Sequence, residues 1–385
     1  MYIYVMQKML LLCLLSFFSN VYANDSLYAR RIVDTLSSGY FSGRGYVNDG
    51  MQKAAGFIAR SFAELQTVPV KGKSYLQSFK YSVNRFPGAV SLTVNGKTLQ
   101  PGKDFLVLNE SRSFKGNGNL EKADSVTWIN HEKRVTIKLT DKLTWSVKTE
   151  QADYTGFTIL KSAVNNPASF AAEVEADFMP SFKADNVVAM VKGTAVPDSF
   201  LVFTAHYDHL GMMGKNAVFP GANDNAGGVA MLLTLAKYYA ANPSRYSVVF
   251  MAFAGEEAGL IGSAYYVKHP TIPLHKIRFL TNLDLMGNGE EGITVVNATE
   301  FQPEFELLKK LNAAGNYLTT VNSRGKAANS DHYWFAEQGV HAFFIYTLGK
   351  RKSYHDIDDV ASTLSLSEIN DLDQLLIQFY DSLSK

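Results

Sequence analysis

From Asn186 onward the chain alternates short apolar runs with helix-patterned segments, and this rhythm constrains the fold more than any other feature. The runs "NVVAMVKG", "SFLVFTA", "YSVVFMAFA", "IRFLTNLDLM", "GITVVNA" and "AFFIYTL" are almost continuously apolar. A strand with one wet face alternates polar and apolar residues, whereas a continuous run needs cover on both faces. Between them, "NAGGVAMLLTLAKYYAAN", "GLIGSAYYVKH", "PEFELLKKLNAAG" and "SLSEINDLDQLLIQFYDSL" carry helical spacing, and "SDHYWFAEQG" reads as a short capped helix. The pattern predicts an α/β fold: a mixed, mostly parallel sheet covered by helices on both faces, in three layers.

Upstream the pattern differs. "DSLYARRIVDTLSS" and "MQKAAGFIARSFAEL" read as helices around the turn-rich "GYFSGRGYVNDG". Residues 85–185 lose the strand–helix rhythm. "AVSLTVNGKTL" alternates around an Asn-Gly turn, and "RVTIKLTDKLTWSVKTE" alternates again. A small, mostly β insertion is expected there. The expected organisation is residues 1–23 as a signal peptide, 24–84 as the start of the main domain, 85–185 as the insertion and 186–385 as the rest of the main domain.

The leader reading rests on Lys8, the apolar "MLLLCLLSFF", and Val21 and Ala23 at a small-residue cleavage pattern. Export to the periplasm or the exterior follows, with no membrane anchor after cleavage. The apolar stretch is too short to span a bilayer. The chain's one cysteine, Cys13, lies inside this leader, so the mature chain needs a core rather than disulfides. A net charge of +1 gives no field for nucleic acid or an anionic membrane.

In an open α/β sheet, functional groups collect beyond the carboxyl ends of the strands. Here "VFTAHYDHLG" ends an apolar strand in His206, Asp208 and His209. Asp224 lies in "PGANDNAGG", Glu256 and Glu257 follow "VVFMAFAG", Asp284 ends "FLTNLD", and His355 lies in "SYHDIDD". Imidazole and carboxylate without thiolate suit zinc, with cobalt or manganese as substitutes. Several carboxylates with few histidines suggest two cations sharing a bridging carboxylate. Of the adjacent Glu256 and Glu257, one can bind metal while the other stays free as a general base. Each residue also has a plainer reading: Asp224 as a helix cap, Asp284 in an Asx-turn, the glutamates at a helix start.

With "AHYDHLG", "GANDNAGG", "FAGEEAGLIGS", "NLDLMG", "SDHYWF" and "YHDIDD" in that order, and "FSGRG" upstream, the chain resembles the M28 family of zinc aminopeptidases. The resemblance implies the zinc-peptidase/phosphorylase-like three-layer fold, two Zn2+ per chain, and peptides with a free N-terminus as substrates. It implies His206 and Asp284 at one metal, Glu257 and His355 at the other, Asp224 bridging and Glu256 as the base. Asp208 is similar to the carboxylate that orients a ligating histidine. His209, His269, His275 and His341 have no ligand role in the pattern and are expected to be structural. Gly227 stands where many relatives carry Ser, and Asp356 where Thr is frequent. The same fold hosts glutaminyl cyclases and carboxypeptidases, and a metal-free binding protein is a third possibility. Phe219, Trp334, Tyr346 and Tyr354 flank the motifs and are candidates for the substrate pocket; Ser330, Asp331 and His332 match a motif near it.

Overall fold

The computed structural model describes residues 25–350 and 353–385. The expected leader and Cys13 lie outside the described residues. No helix among those described is long and apolar enough to cross a membrane.

The main sheet has nine strands among the described residues. They are β1 (Val68–Pro69), β2 (Leu76–Arg85), β3 (Asp177–Val191), β4 (Val196–His206), β5 (Tyr246–Phe253), β6 (Ile277–Leu283), β7 (Ile293–Val296), β8 (Val321–Ser323) and β9 (Ala342–Thr347). Their order is β1-β3-β5-β4-β6-β9-β7-β8, with β2 also on β3. The central β5, β4, β6 and β9 are parallel to one another. Antiparallel neighbours flank them, β3 on β5 and β7 on β9. The mixed α/β sheet is therefore present, with its parallel part at the centre, where both faces are covered.

Side chains alternate across each central strand, and both sets are buried. Leu201, Phe203 and Ala205 of β4 join one core with Phe62, Val229, Leu233 and Tyr380. Val202 of β4 and Met251 of β5 join the opposite core with Tyr266 and Phe335. The first core is roofed by α1 (residues 25–36), α2 (Gly50–Glu64), α3 (Gly228–Ala241), α5 (Gln302–Gly315) and α7 (Ile369–Leu383). The second is roofed by α4 (Ile261–Lys268) and α6 (His332–Ala336). Burying each such aliphatic or aromatic side chain contributes about 1.5–3 kcal/mol. This is why the strands read as unbroken apolar runs.

The region after β2 forms two small sheets, one of five strands and one of four. They share a core that includes Trp128, Ile137, Trp145, Phe157 and Phe170, with Leu210, Met213 and Phe219 of the main domain packed into it. The Asn-Gly hairpin is present: Val94 pairs with Lys97, and Asn95 and Gly96 both have positive φ, as a tight hairpin turn requires. Two features differ from the sequence expectation. β3 is 15 residues long, because its polar first half pairs with β2 rather than lying between helices. And "RVTIKLTDKLTWSVKTE" is a strand only over Val135–Thr140. Its second half runs extended across the main domain, where its partners are β2 and the loop carrying His355.

Candidate active site

Parallel strands bring their carboxyl ends to one edge, and six predicted residues meet there. His206 ends β4. Asp224 lies in the turn Ala222–Gly227 that opens α3. Glu256 and Glu257 follow β5, Asp284 follows β6, and His355 lies in the loop after β9. His206 Nε2 is 3.3 Å from Asp224 Oδ1 and 3.4 Å from Asp284 Oδ1. His355 Nε2 is 3.2 Å from Asp224 Oδ2 and 3.1 Å from Glu257 Oε2. Asp224 thus turns one oxygen to each cluster. The helix-cap reading of Asp224 fails, since the helix start carries no side-chain cap bond.

The electrostatics ask for cations. Asp208, Asp224, Glu256, Glu257, Asp284 and Asp331 all lie buried or nearly so around this edge. Burial lifts Glu256 well above the ordinary carboxylate range, and the neighbouring Glu257, Asp331 and Asp284 add to it. Burial opposes charge on His355, yet Glu257 and Asp224 hold its imidazole up to about 11. His206 is likewise raised, by Asp284 and Glu256, against its burial. Burial and Asp224 push Glu257 up, but the His355 and His209 imidazoles outweigh them and bring it to about 2. Without a cation the site must hold protons on its imidazoles; a bound divalent ion would displace them. Asp284 Oδ1 is buried with no hydrogen-bond partner, and His206, Asp224 and Asp284 can converge on one ion. The nitrogen-and-oxygen donor set fits zinc.

Residues behind this edge fix it in place. Thr204 Oγ1 donates to Asn282 (2.6 Å), Asn282 Nδ2 donates to Ser330 Oγ (2.8 Å), and Ser330 Oγ donates to Asp284 Oδ2 (3.1 Å). Ser330 therefore aims Asp284, while Asp331 makes no cap bond and His332 is buried as the first residue of α6. The orienting role expected of Asp208 needs correction. The His206 ring meets its backbone carbonyl at 3.2 Å, whereas the carboxylate stands 3.8 Å away. That carboxylate is taken up by the backbone N–H groups of Glu256 (3.2 Å) and Glu257 (3.4 Å). Burial, with Glu257 nearby, lifts the Asp208 carboxyl to about 7.

Three positioning residues were missed or misjudged in sequence. His209, expected only to be structural, lies within the site, with its Nδ1 2.7 Å from Glu257 Oε1; this leaves Oε2 toward His355. Its place in the "HYDH" cluster was the available signal. Asp359 accepts the backbone N–H of Asn223 (2.8 Å) and Asp224 (3.0 Å). Arg44, fully buried, holds the same loop from the other side. Its Nε donates to Tyr207 O, Nη1 to Leu36 O and Pro220 O, and Nη2 to Gly221 O and Asp224 O. Burial lowers the guanidinium to about 10, with Asp359 and Asp224 opposing the fall. The glycines of "FSGRG" allow this approach: a Cβ on Gly45 would meet Gly211 Cα at 2.4 Å.

A cleft of about 220 Å3 opens onto the cluster, lined by Glu256, Leu285, Arg324, Phe344, Tyr346 and Tyr354 among others. Of the aromatic candidates, Tyr346 and Tyr354 line it. Phe219 instead stacks on Trp145 inside the insertion core, with ring centroids 4.6 Å apart.

The model of Peptidase family M28 matches residues 186–380, half of the chain and the part that carries this edge. The chain belongs to peptidase family M28. The family match covers all six converging residues. A probable zinc metalloprotease of Pyricularia oryzae is 39% identical over 108 residues, covering 28% of this chain and 22% of that protein. Aminopeptidase YwaD of Bacillus subtilis is 30% identical over 163 residues, covering 41% of this chain and 34% of that one. The chain thus spans 22% and 34% of the length of these two curated relatives. Among solved structures, a zinc aminopeptidase from Bacillus subtilis has a TM-score of 0.70 at 18% identity, covering 94% of this chain and 95% of that one. An aminopeptidase from Aneurinibacillus sp. strain AM-1 has a TM-score of 0.67 at 18% identity, covering 94% of each. Coverage of 94% cannot omit a segment as long as residues 85–185, so the likeness in fold extends into the insertion.

Proposed function

We propose that this M28 chain is an exported di-zinc aminopeptidase that removes N-terminal residues from peptides. The observation that carries the reading is Asp224, with one carboxylate oxygen toward His206 and Asp284 and the other toward His355 and Glu257. That is the arrangement a bridging carboxylate between two cations needs. His206 and Asp284 would hold one zinc, His355 and Glu257 the other, and Asp224 both. Cobalt or manganese are acceptable substitutes for such donors.

Zinc, when bound, would acidify a water and polarise the scissile carbonyl. The chain's own part in the reaction falls to Glu256. Its side chain lines the cleft and makes no bond to either histidine, so it is free to take a proton from the attacking water. As the water oxygen bonds to the carbonyl carbon and the C–N bond breaks, Glu256 returns that proton to the leaving nitrogen. Asp208 holds the Glu256 backbone, Ser330 aims Asp284, and His209 aims Glu257. The acidic lining would attract a substrate α-ammonium, and Tyr346 and Tyr354 form part of the wall.

The test is cleavage of aminoacyl 4-nitroanilides by the zinc-loaded chain beside their N-acetylated forms. Cleavage confined to the free amines and lost on chelation supports an aminopeptidase. Cleavage of the acetylated forms, or cyclisation of N-terminal Gln as the sole activity, overturns the reading.

A further inference from the structure

We propose that the insertion is a working part of the active site: the extended segment around Trp145 is a positioning element that fixes the ring of His355. His355 Nδ1 lies 2.9 Å from the backbone carbonyl of Trp145, and the backbone N–H of Trp145 donates to the carbonyl of His355 at 3.0 Å. Two backbone bonds between the same two residues set both the position of the loop and the rotation of the imidazole. With Nδ1–H directed to a carbonyl, Nε2 is left as the lone-pair nitrogen facing Asp224 and Glu257. A ligating histidine needs such a partner on its other nitrogen. His206 finds one inside the main domain, at Asp208 O. His355 finds one only by reaching across to the insertion.

The segment is built to hold still. The Trp145 side chain is buried; its indole N–H donates to Val107 O (2.9 Å), and its ring stacks on Phe219 at 4.6 Å. Phe219 ends a short strand three residues ahead of the turn that carries Asp224. Further along, Lys148 O accepts the backbone N–H of Asn84 (2.9 Å) and Thr149 O accepts Ser82 Oγ (2.6 Å), which pins the segment to β2. From the other side, Ile357 of the His355 loop packs into the insertion core. Among the described residues the segment joins neither small sheet, so its backbone is held by the site and β2 while its Trp145 side chain is held by the insertion core.

This inference rests on His355 being a metal ligand, as the proposed function has it. The experiment is competition between the metal-free chain and a chromogenic zinc chelator, resolving each zinc equivalent. It compares wild type, Trp145→Ala, Trp145→Phe and Ile137→Ala. Ile137 is buried in the insertion core and makes no bond to His355, so Ile137→Ala controls for general loosening of the insertion. Trp145→Ala is expected to weaken one equivalent about 10–100-fold, the usual effect of losing a ligand's outer partner. The other equivalent should change less than about 3-fold. Trp145→Phe, which keeps a stacking ring and so protects the fold, should show a smaller loss in the same equivalent. Ile137→Ala should affect neither. The inference is overturned if Trp145→Ala and Trp145→Phe leave both equivalents at wild-type affinity, or if Ile137→Ala reproduces their effect. A wild type that binds no second zinc would be seen before any variant is compared; it would remove the proposed function and this inference with it.

Discussion

Replacing Arg44 by lysine isolates how the Asp224 loop is held. An arginine has five N–H donors, and Arg44 spends each on a different backbone carbonyl: Tyr207, Leu36, Gly221 and Asp224, all buried, and the part-buried Pro220. Both side chains carry a charge, so the cost of burying it largely cancels in the comparison. The hydrogen bonds do not cancel. An ammonium offers three donors from one atom, so at least two of the carbonyls must go unpaired. At about 1–3 kcal/mol for each orphaned buried acceptor, Arg44→Lys should cost about 2–6 kcal/mol. Total domain stability is only about 5–15 kcal/mol, so this loss is large. Urea unfolding of the zinc-loaded and zinc-free protein measures it, as a lower midpoint with little change in slope. Zinc should recover part of the loss, because ligation re-imposes the loop that Arg44 no longer holds. A midpoint corresponding to less than about 1 kcal/mol of destabilisation would refute the argument that these bonds set the loop.

Glu256→Gln should lower kcat by about 10²–10⁴-fold while bound zinc stays at the wild-type level, read by steady-state kinetics beside elemental analysis. Near-normal turnover would end its role as base. Arg324 adds a guanidinium to a cleft otherwise rich in carboxylates, so Arg324→Ala should lower kcat/KM for N-terminal Asp and Glu substrates about 10-fold more than for Leu, the size of one lost charge-assisted bond. Equal losses across the panel would place Arg324 outside substrate recognition. Burial, with Asp25 nearby, pushes the Asp373 carboxyl of α7 up to about 8, against the pull of Lys237. Its unfolded value is about 4, so the folded state holds the proton more tightly. The stability this contributes is complete below about pH 4 and is lost as pH rises through about 8. Asp373→Asn should therefore be relatively more thermostable than wild type at pH 8.5 than at pH 5. A difference in Tm that does not change with pH would contradict that sign.

What could be read in sequence, and what could not, divides along a physical line. His206, Asp224, Glu257, Asp284 and His355 stood out because each is a polar group at the end of an apolar strand or at a helix start, where burial demands a reason. The same argument located the central strands, whose two buried faces write themselves as continuous apolar runs. Arg44, Asp359 and Trp145 act mainly on backbone atoms far along the chain, and a backbone carbonyl has no residue type to announce its partner. Asp208 was recognised as important but misassigned in contact: its carboxylate serves the Glu256–Glu257 turn, and its carbonyl serves His206. His209 was read as structural because the motif assigned it no metal, although Glu257 needs a second partner. The tail of "RVTIKLTDKLTWSVKTE" has the alternation of a strand, but its alternate residues face two different cores, with Val147 touching both.

The most direct test of the central claim is the number of zinc ions held per folded chain, counted by elemental analysis after dialysis, for wild type and Asp224→Ala. The account predicts two per wild-type chain, with both weakened together in Asp224→Ala, since that carboxylate faces both clusters. One zinc in the wild type, or an Asp224→Ala variant that still holds two tightly, would contradict it.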